Sequence, residues 1–69
     1  MAVISIMLNG DQKQVREGSL ADLVASLGLD VKKVAVERNR AIVPRSTLGA
    51  VALADGDTVE IVHFVGGGC

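Results

Sequence analysis

Two adjacent residues, Asn9-Gly10, constrain the start of this chain more than any other feature. Both central positions of a type I′ turn need positive φ, so Asn-Gly between strand-like runs marks a β-hairpin. The run before it places Ile4, Ile6 and Leu8 on one side and Val3, Ser5 and Met7 on the other. The run after it, DQKQV, is polar except for Val15, the expected inward residue. A hairpin with one apolar face has to be covered, and this chain has few means of covering it. Among 69 residues there is one Phe, no Trp or Tyr, one His and one Cys. The core must therefore be built from Val, Leu, Ile and Ala. No disulfide can form within the chain, and one His with one Cys falls short of a structural zinc site.

The cover comes next, in GSLADLVASLGL. Ser19 is a good N-cap, and Asp22 three residues later completes a capping-box pattern. Leu20, Leu23, Val24 and Leu27 recur at helical spacing, which predicts a short amphipathic helix over 20–27. Gly28 stands where a left-handed C-cap belongs.

Beyond the helix, Val34 and Val36 mark a strand that turns at Arg38-Asn39-Arg40, and AIVPR reads as a short return strand. Pro44 cannot donate to a ladder, so that strand lies at an edge or ends there. STLGAVALADGD reads as irregular, with Leu48, Val51 and Leu53 available to plug the core. TVEIVHFV is the most strand-like run, with Val59 and Ile61 on one face and Glu60, Val62 and Phe64 on the other. A hairpin, a helix across it and a final central strand describe an α+β domain of β-grasp, ubiquitin-like type. The expected sheet is mixed, of four to five strands, with one main helix. Residues 1–65 would form the domain and 66–69 a flexible Gly-rich tail.

The formal net charge is −1 with the signs interspersed. That argues against a nucleic-acid partner, which would call for a basic face. MAVISIML is too short to span a membrane and lacks the flanks of a signal peptide, so a soluble cytoplasmic protein without membrane contact is expected. The unusual feature is the end, IVHFVGGGC. Glycines at a chain end are often mere slack. Here they follow the strongest strand with no polar linker between. Glycine lacks Cβ, so such a tail can thread a narrow channel and present a carboxylate inside an enzyme.

VAVERNRAIVPRSTL and LADGDTVEIVHFVGGG carry a resemblance over nearly the whole length. The chain resembles the ThiS family, the sulfur carrier proteins of thiamine thiazole biosynthesis. The resemblance implies the same β-grasp fold and a mechanism. An E1-like, ThiF-like adenylyltransferase would activate the terminal glycine carboxylate with Mg-ATP. Sulfur relayed as a persulfide from a cysteine desulfurase would convert it to a thiocarboxylate. A ThiG-like thiazole synthase would take that sulfur. The carrier would bind no cofactor and serve as a protein cosubstrate, not an enzyme. Gly68 matches the residue that bears the thiocarboxylate, and Gly66 and Gly67 form the approach. Cys69 departs from the pattern, because it ties the Gly68 carbonyl into a peptide bond. Three accounts stay open: a precursor residue removed by a peptidase, an added handle or truncated tag, and a thiol that itself acts.

Other residues carry weaker signals. Val62 and Phe64 are candidates for docking the activating enzyme, or else they bury against a loop. His63 lacks a visible base partner and reads as structural or partner-contacting. Glu37, Arg38 and Arg40 read as solvated charge around a turn. Asp22, Asp55, Asp57 and Glu60 show no metal-ligand spacing, and the Asp-Gly-Asp reads as a turn. No catalytic residue or metal ligand stands out. The alternatives are a sulfur carrier for another pathway, such as molybdopterin or tRNA thiolation, and a ubiquitin-like conjugation or binding module.

Overall fold

Asn9 and Gly10 adopt φ of 51° and 87°, the left-handed pair that a type I′ turn demands. They join β1 (Val3–Leu8) to β2 (Asp11–Arg16), with Leu8 opposite Asp11 and Val3 opposite Arg16. The computed structural model that shows this describes residues 2–64. The Gly-rich tail, with Gly66, Gly67, Gly68 and Cys69, lies outside the described residues, as does the proposed boundary at 65.

The helix, α1 (Leu20–Ser26), starts as its sequence dictates. The Ser19 hydroxyl accepts from the Asp22 N–H at 3.0 Å, and the Asp22 carboxylate accepts from the Ser19 N–H at 3.0 Å. Its end corrects one expectation. Gly28 takes φ 76°, its N–H donates to the Ala25 carbonyl, and the Leu29 N–H donates to the Val24 carbonyl. This is a Schellman stop, and it turns the chain before Leu27 reaches the sheet. Leu27, expected in the apolar stripe, is the C-cap residue and is 42% exposed. Leu29 packs against the core instead.

After a short 3-10 turn at Val31–Lys33 come β3 (Val34–Arg38) and β4 (Ala41–Val43), the latter ending just before Pro44. The stretch expected to be irregular contains a 3-10 helix over Arg45–Ala50, which delivers Leu48 to the core at 1% exposure. The Arg45 guanidinium donates to the Lys32 carbonyl and ties the two 3-10 turns together. β5 (Thr58–His63) completes the sheet, whose strand order is β2-β1-β5-β3-β4. β5 runs parallel to β1 and antiparallel to β3. The last strand is therefore the middle one, and β2 and β4 are the edges.

Alternation then decides the core. Ile6 and Leu8 of β1, Val34 and Val36 of β3, and Val59 and Ile61 of β5 all face α1. There they meet Leu20, Leu23 and Val24, with Leu48 and Leu53 closing the ends. Each such buried aliphatic contributes about 1.5–3 kcal/mol, so an aliphatic core suffices without aromatics. Only one face of the sheet is covered in this way.

Candidate functional site: the end of the central strand and the open face

The site is defined by where β5 leads. Its even-numbered residues hydrogen-bond toward β3. The Asn39 N–H donates to the Thr58 carbonyl at 2.7 Å, and the Phe64 N–H donates to the Lys33 carbonyl at 2.8 Å. Pairing thus continues one residue past the strand. The odd-numbered residues point to the other side, where β1 stops at Leu8. Asn9 takes over there. Its backbone N–H donates to the Val59 carbonyl at 2.9 Å. Its side-chain amide accepts from the Ile61 N–H at 2.8 Å and donates to the Ile61 carbonyl at 3.3 Å. One side chain imitates a further strand residue, so the turn residue also holds the exit strand. Sequence reasoning found Asn9 for its φ and missed its amide, because nothing local says which strand lies beside a turn.

A second cluster fixes the other end of β5. Asp57, read from the sequence as part of a simple turn, is 6% exposed. Its carboxylate accepts from Arg38 Nε at 2.8 Å, Asn39 Nδ2 at 3.1 Å and the Ala54 N–H at 2.9 Å. Arg38 is accordingly not solvated charge: it forms an ion pair that ties the β3–β4 turn to the start of β5. Burial alone would raise the Asp57 pKa. The hydrogen bonds from Arg38, Ala54 and Asn39, with the Arg38 charge, outweigh it and hold the carboxyl below its ordinary 3.8. Asp55 has its own task, accepting from the Ser5 N–H at 2.8 Å, and Asp22 is the helix cap. Among the described residues no group of His, Cys, Asp and Glu could hold a metal ion. No helix among them is long and apolar enough to cross a membrane.

The face of the sheet away from α1 is open. Val62 is 59% exposed and Phe64 47%, so neither buries against a loop. Ala35 lies opposite Val62 across the β3–β5 ladder, and Ile42 of β4 is 77% exposed on the same face. Phe64, Ala35, Ile42 and Arg45 share a shallow groove beside the strand's exit. His63 is exposed on the last strand residue, opposite Val34. Glu37 faces Glu60 directly across the same ladder.

A mixed sheet clasping one helix, with the last strand central and leaving the domain at its C-terminal end, defines a ubiquitin-like β-grasp domain. The comparisons with known proteins narrow that class. The ThiS family model matches residues 6–68, so the chain belongs to the ThiS family. It is 48% identical over 65 residues to the sulfur carrier protein ThiS of Bacillus subtilis, covering 91% of this chain and 98% of that one. It is also 48% identical over 66 residues to a thiazole synthase of Magnetococcus marinus. That match takes in 94% of this chain and spans 20% of the relative. The crystal structure of the thiamine biosynthesis protein ThiS from Geobacter metallireducens superimposes with a TM-score of 0.79 at 29% identity. That superposition covers 94% of this chain and all of that one (100%).

Proposed function

We propose that this chain is a sulfur carrier protein of thiamine thiazole formation, with Gly68 as the residue that carries the sulfur. The observation that supports this most is the route of the chain. A central strand, held on both sides up to Ile61, is followed three residues after its end by Gly66-Gly67-Gly68 in the sequence of a member of the ThiS family. A strand held on both sides fixes where the described chain ends, and glycines beyond it can enter a channel that side chains would block. The carboxylate of a chain ending at Gly68 attacks ATP on an E1-like adenylyltransferase, with magnesium held by that enzyme, and pyrophosphate leaves. The outer sulfur of a persulfide relayed from a cysteine desulfurase attacks the acyl carbon and displaces AMP, giving an acyl disulfide. A second protein thiol then attacks the inner sulfur, so that the S–S bond breaks to leave the thiocarboxylate and a disulfide. A thiazole synthase takes that sulfur. Its role as acceptor is supported by the Magnetococcus relative, in which a thiazole synthase chain includes a segment like this one. The carrier is a cosubstrate, and the ATP-dependent step places it in the cytoplasm.

Cys69 blocks this chemistry while its peptide bond stands, so the competent form ends at Gly68. The test is intact mass. A chain ending at Gly68, incubated with the adenylyltransferase, Mg-ATP and a sulfur donor, should show one oxygen-to-sulfur exchange, and the chain retaining Cys69 none. An unchanged mass, with the protein found instead linked to lysines of other proteins, would replace this reading by a conjugation module.

Val62 and Phe64 lie exposed at the C-terminal end of the described chain and would seat the domain on the activating enzyme. Phe64→Ala should leave the melting temperature within a few degrees, because the ring is half exposed. The same change should weaken binding to the adenylyltransferase by about tenfold, read by titration calorimetry. Unchanged affinity would remove Phe64 from the interface.

A further inference from the structure

Asn9 is at once the clamp on β5 and the most reactive amide in the chain. Glycine follows it, and no heavy atom lies within 4 Å of where a Cβ would stand on Gly10. Both residues are exposed. Asparagine before glycine is the pairing most open to deamidation, because no side chain shields the backbone nitrogen that attacks. Yet the group under attack is engaged. Asn9 Oδ1 accepts from the Ile61 N–H at 2.8 Å, and Nδ2 donates to the Ile61 carbonyl at 3.3 Å. Cγ cannot swing onto the Gly10 nitrogen without giving up both bonds. The β3–β4 turn repeats the arrangement with the chain's other asparagine. Asn39 has φ 52°, accepts from the Thr58 N–H at 2.9 Å and donates to Asp57 at 3.1 Å. There Arg40 follows and its side chain crowds the nitrogen, so of the two clamps the one at Asn9 is the labile one.

We propose that Asn9 is a spontaneous modification site, held unreacted by the exit strand, and that its deamidation releases that strand for good. When the C-terminal half of β5 opens locally, the Asn9 amide comes free. The Gly10 nitrogen gives up its proton and attacks Cγ; a cyclic imide closes as the Cγ–Nδ2 bond breaks and ammonia leaves with that proton. Water then opens the ring. Cleavage at the Cγ side leaves aspartate at position 9, and cleavage at the α-carbonyl side leaves an isoaspartyl link. Either product has a carboxylate in place of the amide, so the Ile61 carbonyl loses its donor and faces an anion. The isoaspartyl link also adds a main-chain carbon to a two-residue turn in which Leu8 must meet Asp11. The clamp therefore does not re-form. Each opening of the exit strand risks this loss, so the site limits how long a carrier stays in service. Neither step involves sulfur, and the site exists whichever partner the tail serves.

The full chain is aged at neutral pH beside the free peptide MLNGDQ and beside the same chain unfolded in urea. Isoaspartate is detected with an isoaspartyl carboxyl methyltransferase. Ammonia release and peptide mapping separate Asn9 from isomerisation at Asp55-Gly56. The unfolded chain should convert at the peptide's rate, and the folded chain at least about tenfold more slowly. Urea below the unfolding transition should speed conversion in step with hydrogen exchange at the Ile61 amide. Once converted, the chain should exchange that amide about tenfold faster than fresh protein. Asn9→Gly keeps the turn, since glycine tolerates its φ, and should show the same fast exchange with no isoaspartate at position 9. A folded chain that converts as fast as the peptide, or conversion at Asn39 in place of Asn9, would overturn the inference. So would an Ile61 amide that stays protected in the converted chain or in Asn9→Gly.

Discussion

Leu23→Asp is expected to leave no folded domain. Leu23 is 4% exposed beneath the sheet, among Leu20, Val24 and the inward residues of β1, β3 and β5. Losing the leucine costs about 2–5 kcal/mol, and desolvating a carboxylate with no partner adds several more. At about 0.05–0.15 kcal/mol per residue, a domain of this size holds only some 3–10 kcal/mol in total. Far-UV circular dichroism and a thermal melt suffice as the measurement. Leu27→Asp is the matched control: it belongs to the same helical stripe in sequence but is exposed, so its effect should stay within about 0.5 kcal/mol. A cooperative melt from the Leu23 variant, or collapse of the Leu27 variant, would contradict the Schellman stop that separates them.

Asp57→Ala should cost about 3 kcal/mol, because it strands Arg38, Asn39 and the Ala54 N–H together. For a domain this small that corresponds to a fall of roughly 15 °C in melting temperature. The effect should depend on pH in one direction. The folded carboxyl has a pKa below its ordinary 3.8, despite burial, because of its hydrogen bonds and the Arg38 charge. Its stabilisation is therefore complete above the unfolded pKa and lost as the pH falls through the folded value. The gap between the parent and variant melting temperatures should be flat from neutral pH to about pH 5 and shrink below pH 4. A gap that widens on acidification would mean the carboxyl's pKa is raised instead.

What the sequence disclosed, and what it withheld, follows from the range of the interactions. Asn9-Gly10, Ser19 with Asp22, and Gly28 act within a few residues of themselves, so turn, cap and stop were all legible. The alternation in β1 and β5 assigned Ile6, Leu8, Val59 and Ile61 to the core correctly, because a strand's period depends on no partner. The central place of β5 followed from the pattern of elements. The turn over 54–57 formed as read, with the Asp57 N–H donating to the Ala54 carbonyl. The task of the Asp57 carboxylate was missed, because Arg38 and Asn39 lie 19 and 18 residues away and an Asp-Gly-Asp says nothing about who donates to it. The same limit hid the Asn9 amide from Ile61, 52 residues on. Leu27 failed for the opposite reason: a local stop outweighed a periodicity that was itself correct. The opposition of Glu37 and Glu60 needed the β3–β5 register, which neither strand specifies alone.

The parallel placement of β1 and β5 bears on what happens when the tail is pulled. A partner drawing on the C-terminal arm, or a protease threading it, applies force along β5. Neighbours flank that strand on both sides, with the β3 ladder running the length of β5 and Asn9 gripping it at Val59 and Ile61. Force in that direction shears these hydrogen bonds side by side, so they share the load and do not open one at a time as at a peeled edge. The domain can thus be pulled from the C-terminal end of β5 without its sheet unravelling, whereas a pull across the short edge strand β4 would unzip it bond by bond.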